Sequence, residues 1–225
     1  MQVMDIHSHT RYSNCGIDEP EAIAEAALAG GITLFGICDH NYGIGERLEQ
    51  YKAEIAALRE AYAGRMRILT GIEIASVPNL GEPDPERLTG FDYCLLEHID
   101  MPESTVGMGV FEYRHRFAGK FGIAHTDLIG MAKANGIDPL EFLHRFAEND
   151  IFWEMNVSYD SIHNWREHPY YLRFRQSPEE QELVRRSGIR LSVGFDGHRV
   201  YDYRPDRVVE MNRFLQENGF SVVEF

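Results

Sequence analysis

Short apolar runs alternate with longer amphipathic ones along the whole chain. Residues 2–6 read as a short strand. Residues 21–29 read as a helix, opened by Pro20 and ended by Gly30 and Gly31, the asymmetry that helix ends prefer. Residues 32–38 (ITLFGIC) are apolar without interruption, as a strand buried on both faces must be. Leu48, Tyr51, Ile55, Leu58 and Tyr62 recur every three or four positions and predict an amphipathic helix over 46–62. The same reading predicts strands at 67–75, 91–96, 121–124, 151–157, 189–195 and 220–224, and helices at 139–148, 178–186 and 205–217. Residues 156–175 show no clear period and read as a long, aromatic loop. The GEPDPE stretch at 81–86 reads as a turn inside a domain.

Strands separated by helices imply right-handed βαβ units and a parallel sheet. About seven such units in 225 residues fit a small or incomplete barrel better than an open doubly wound sheet. Positions 7–12 read HSHTRY, so no glycine-rich phosphate turn follows the first strand, and a dinucleotide fold has no support. With no repeat or linker, 1–225 is expected to be a single domain.

Composition narrows the class. Hydrophobic residues make up 44% and charged residues 26%, ordinary globular usage. The net charge of −14 argues against long nucleic acids and anionic membranes, both of which need clustered Lys and Arg. Surplus acid can instead be screened locally by bound metal ions. No apolar run is long enough to span a membrane, and MQVMDIHSHT does not read as an export signal. Cys15, Cys38 and Cys94 are too few for a disulfide framework. A cytoplasmic protein is the expectation.

The chain has ten histidines. Six fall just past predicted strand ends: His7, His9, His40, His98, His125 and His198. Asp5, Asp39, Glu73, Asp100, Asp127 and Asp196 accompany them. In a parallel barrel those ends converge on one face, where active sites lie. His7-x-His9 and Asp196-x-His198 each place two ligand-type side chains on one side of an extended segment. So many imidazoles and carboxylates packed together are costly unless cations compensate them, so a metal site is expected. Imidazole with carboxylate suits zinc, iron or manganese. The set is too large for one four-coordinate ion; two or three ions bridged by Glu73 is the economical arrangement. His115, His144, His163 and His168 read as structural.

Several motifs resemble the PHP superfamily, named for polymerases and histidinol phosphatase. Asp5-Ile6-His7-Ser8-His9 looks like its D-x-H-x-H motif, and Asp39-His40 like its second. Gly71-Ile72-Glu73 resembles its G-x-E, the segment from Phe91 to His98 its S-x-H, His125-Thr126-Asp127 its H-P-D, and Asp196-Gly197-His198 its S-D-A-H. The resemblance covers nearly the whole chain. It implies a distorted (β/α)7, TIM-like barrel with a two- or three-ion site (Zn, Mn or Fe) at the C-terminal face. It implies ligation by His7, His9, His40, Glu73, His98, His125, Asp196 and His198, and hydrolysis of phosphate esters. Where relatives carry Asp or His in the turn after the first motif, this chain reads Ser13-Asn14-Cys15-Gly16. Cys15 is there either a small packing residue or a thiolate ligand. His98 follows Leu96-Glu97 rather than Ser, and Glu97 is given no role.

The expected reaction is in-line attack of a metal-activated hydroxide on a small phosphomonoester, as in histidinol phosphatase. Asp196, His198 and Asp39 are the catalytic candidates, with Asp39 orienting a ligand histidine and Asp127 or His198 assisting the leaving group. A dianionic phosphate calls for a cation; Arg199 is the first candidate, then Arg166, Arg173 and Arg11. The competing readings are a phosphodiesterase or exonuclease on short nucleotides, and a non-catalytic metal-binding module.

Overall fold

The strands are buried on both faces nearly throughout, so each has to be covered twice. The computed structural model, which describes residues 2–80 and 88–225, meets this with a parallel barrel inside a layer of helices. The 81–86 turn lies outside the described residues.

The order is β1 (Met4–Asp5), α1 (Pro20–Ala29), β2 (Leu34–Ile37), α2 (Asn41–Ile44), α3 (Leu48–Ala61), β3 (Arg67–Ala75) and β4 (Tyr93–Glu97). Then follow α4 (Val110–Arg114), β5 (Lys120–Ile123), α5 (Leu128–Ala134), α6 (Pro139–Glu148), β6 (Ile151–Asn156), α7 (Pro169–Gln176), α8 (Pro178–Ser187), β7 (Leu191–Gly194) and α9 (Pro205–Glu217). The seven strands lie side by side in chain order, all in parallel pairs. The backbone N–H of Ile6 donates to the Val193 carbonyl (3.0 Å) and that of Asp196 to His7 (2.7 Å), which nearly closes β7 onto β1. Buried Asp5 clamps this seam, accepting from Phe195 N (3.0 Å) and Tyr203 Oη (2.6 Å).

Alternation along each strand sorts the core into two clusters. Phe35, Ile37, Ile72, Ile74, Cys94 and Leu96 face the helices. Leu34, Leu69, Tyr93, Leu95 and Phe152 fill the barrel. The interior is narrow: a Cβ on Gly36 or Gly71 would lie 2.2 Å from the Tyr93 side chain, so both strands need glycine where the tyrosine crosses. Val223 and Phe225 join the inner cluster. The ring of Phe225 meets Tyr93 and Phe152 edge-on.

The strand predicted at 220–224 is reduced to one bridge, Leu191 to Val222. The helix predicted at 46–62 starts later, after α2 and a 3-10 turn, Gly45–Arg47. The loop predicted over 156–175 contains the start of α7, which buries Tyr170, Tyr171 and Phe174. Its aromatic and cationic residues form no simple apolar stripe; Pro169 was the start signal. No helix among the described residues is long and apolar enough to cross a membrane.

Candidate metal centre

The strands deliver their C-terminal ends to one mouth. There His7, His9, Asp39, Glu73 and Asp196 are buried, as are His40 and His198. The cleft above them has a volume of about 360 Å³. Two of the residues at its edge, His98 and Asp196, hold left-handed backbone, with φ of 64° and 59°. For non-glycine residues that costs about 1–3 kcal/mol, a strain that persists at functional sites.

His7 Nε2 lies 3.1 Å from His9 Nε2. Glu73 stands 3.2 Å from the first and 3.4 Å from the second. Asp196 Oδ1 stands 3.5 and 3.0 Å from them. Four ligand atoms 2.0–2.2 Å from a common ion in a tetrahedron would be about 3.3–3.6 Å apart. Glu73 reaches further, with its other neighbours at His125 Nε2 (3.2 Å) and His40 Nδ1 (2.9 Å). His40 Nδ1 and Glu73 Oε2 are both buried, yet neither makes a hydrogen bond. They are aimed at shared space rather than at each other's proton, as ligand atoms are. The donor set therefore fits divalent ions.

The far ring nitrogens of His7 and His9 are tied down by buried polar groups, of which the sequence reading singles out Asp39 but not Glu154. Glu154, fully buried in β6, accepts from His7 Nδ1 (2.8 Å), leaving Nε2 for the cleft. Its other oxygen accepts from His125 N (2.9 Å) and Asn156 Nδ2 (3.2 Å). The signal was an acid inside an apolar run, IFWEMN. Asp39 touches no imidazole nitrogen. It accepts from Thr10 N (2.7 Å), Thr10 Oγ1 (2.7 Å), Ser13 N (3.0 Å) and Ser13 Oγ (2.6 Å). Ser13 Oγ in turn stands 3.1 Å from His9 Nδ1, so Asp39 reaches a ligand-candidate ring only through Ser13. Asp160 accepts from His163 Nδ1 (2.7 Å) and lies 3.6 Å from His198 Nδ1.

The expected phosphate-binding arginines are elsewhere. Arg199 donates to Ser161 Oγ (3.0 Å) and Tyr201 Oη (2.8 Å). Arg173 is engaged by Asp127 (2.7 Å) and Glu180 (2.5 Å). Asp127 also caps α5, so neither it nor Arg173 faces the cleft. Arg11 pairs with Glu19 and Glu54, and Arg166 is exposed on the loop before α7. No arginine or lysine is among the described residues lining the cleft. Its basic groups are imidazoles, and they include His163 and His168, which were read as structural. His163 Nε2 is 3.1 Å from Asp196 Oδ2. His168 stacks on His125, with ring centroids 5.6 Å apart.

Burial and the neighbouring carboxylates drive the rings in opposite directions. Burial opposes protonation of His40, but Glu73 outweighs it and carries the ring up to about 11. Burial likewise opposes His125 and His198, yet Glu73 holds the first at about 9 and Asp160 with Cys15 the second at about 9. Burial, then the charge on His40, pushes His9 down to about 3. Burial raises the Cys15 thiol, but His198 and His40 outweigh it and bring it to about 7. Cys15, His9 and His198 form one of the clusters able to hold an ion.

A nearly closed parallel barrel with a buried histidine and carboxylate cluster at its C-terminal mouth defines the class: an α/β barrel built around a metal centre. The chain belongs to the PHP domain family, whose model matches residues 5–213. Comparison with curated proteins returns no match. Among solved structures, the histidinol phosphate phosphatase of Lactococcus lactis subsp. lactis Il1403, in complex with zinc, L-histidinol and phosphate, is similar. It has a TM-score of 0.63 at 15% identity, over 97% of this chain and 94% of that one. A Listeria monocytogenes protein provisionally assigned as a histidinol phosphatase gives a TM-score of 0.55 at 16% identity, over 88% and 96%. At such identities the likeness is one of fold.

Proposed function

We propose that this protein is a metal-dependent phosphoesterase acting on a small phosphomonoester. The observation that carries the reading is the convergence of His7, His9, His40, Glu73, His98, His125, Asp196 and His198 on one cleft. His7, His9, Glu73 and Asp196 would hold one ion. Glu73, His98 and His125 would hold a second, and His40 with His198 a third. Bound there, zinc, manganese or iron would activate water and neutralise phosphate oxygens.

The chain's own residues do the positioning. Glu154 and the Asp39–Ser13 pair fix the rings of His7 and His9 with Nε2 turned into the cluster, which sharpens ligand geometry and basicity. His163 and His168 supply ring nitrogens where arginines were expected; His168 Nε2 is buried without a hydrogen-bond partner and is available to a phosphate or leaving-group oxygen. A 360 Å³ cleft suits a molecule the size of an amino-alcohol phosphate, and the Lactococcus lactis structure makes histidinol phosphate the first compound to try.

The test is inorganic phosphate release by manganese- or zinc-loaded protein across a panel of phosphomonoesters including histidinol phosphate. Turnover of one compound far above the rest, abolished by chelator and by Asp196→Asn, is the expected result. No release above the Asp196→Asn control would move the reading to short phosphodiesters, and then to a non-catalytic metal module.

A further inference from the structure

We propose that Glu97 is a metal ligand, a second carboxylate at the end of the cluster occupied by Glu73, His98 and His125. The inference rests on the metal-centre reading above.

Three observations carry it. The first is placement. Tyr93 and Leu95 face the barrel interior and Cys94 and Leu96 the helices, so Glu97 is the next interior position on β4. Glu73 is interior on β3, where it pairs with Leu95, while Glu97 pairs with Ala75. The two carboxylates are thus diagonal neighbours on adjacent strand ends.

The second is which ring nitrogens Glu97 approaches. Its Oε1 is 3.4 Å from His40 Nδ1, and its Oε2 is 3.7 Å from His125 Nε2. These are the nitrogens that Glu73 approaches at 2.9 and 3.2 Å. A carboxylate that merely orients a ligand histidine takes the nitrogen the ion leaves unused, as Glu154 does with His7. Glu97 shares nitrogens with Glu73 and so stands on the ion's side of the rings.

The third is an unanswered atom. Glu97 is 3% exposed, and Oε1 has no hydrogen-bond partner. An unpartnered buried carboxylate oxygen is costly; Oε1 faces His40 Nδ1 while Oε2 faces His125 Nε2, and a cation held with Glu73 beside these rings would answer it. Oε2 contacts His98 Nε2 at 2.8 Å. Two carboxylates at this end add oxygen donors and negative charge, which suit manganese or iron(II) alongside zinc.

The test is a crystal structure of the full chain grown with manganese or zinc, with ions located by anomalous scattering. The expected result is a Glu97 oxygen bonded to an ion at about 2.0–2.2 Å. Ions in the cluster with Glu97 hydrogen-bonded to an imidazole instead would overturn the assignment and leave the metal reading intact. A cluster that takes no ion would overturn both. In solution, metal counting on Glu97→Gln should show one ion fewer per chain, or one ion weakened by more than about 100-fold. A full complement weakened by about 10- to 100-fold is what loss of an orienting partner gives, and would also overturn the proposal. Circular dichroism confirms that the variant folds, and the wild-type crystal does not depend on it.

Discussion

At the scale of the residue, the buried acids decide how the histidines stand. Glu154 grips His7 from below, and Glu154→Gln exchanges a charged acceptor for a neutral one. The expected outcome is metal affinity lower by about 10- to 100-fold with the fold retained, measured by competition against a chromophoric chelator. The rings themselves were legible, because two-residue spacing and strand-end position are visible in sequence. Glu154 and Glu97 were not, because their roles come from cross-strand neighbours, and Asp160 was not, because it acts from a loop on His163 and lies beside His198. The arginines failed for the opposite reason. Their type suited phosphate, but Asp127, Glu180 and Ser161 sit within reach and hold two of them aside. His163 and His168 look like ordinary loop histidines in sequence because the contacts that bring them to the site, His163 with Asp196 and His168 with His125, are tertiary.

At the scale of the element, the strand ends must leave room as well as supply ligands. Gly194 closes β7, and a Cβ there would lie 2.1 Å from Glu154 Oε1 and 2.6 Å from His7 Cβ. Gly194→Ala must therefore push apart the pair that sets His7. The expected result is lost metal affinity together with about 1–3 kcal/mol of stability, read by metal counting and denaturant unfolding. Strand and helix periods were legible wherever one face was plainly apolar: β3, α6 and α9 match their predicted spans at both ends. They were not where packing overrides period. α7 buries tyrosines among arginines, and the tail from Phe220 plugs the barrel floor with a single bridge in place of a strand.

At the scale of the molecule, the barrel gathers buried histidines and carboxylates from many strand ends at one mouth. Rings held at about 9 to 11 at His40, His125 and His198 are protonated at pH 8 and must be neutral to ligate. Ion binding at pH 8 should therefore release protons, and affinity should fall as pH falls. Calorimetric titration in two buffers of different ionisation heat measures the number; no buffer dependence would contradict the assignment. Because ions bind the folded chain, saturating metal at about 1,000 times its Kd should add about 4 kcal/mol per site, and chelator should lower Tm. The cluster should bind ions and hydrolyse phosphate esters with them. Its most direct test titrates metal-free protein with manganese or zinc while counting bound ions and released phosphate together. Hydrolysis should appear as the cluster fills and saturate at two or three ions per chain. A chain that binds no ion, or fills the cluster and hydrolyses no phosphate ester, would contradict it.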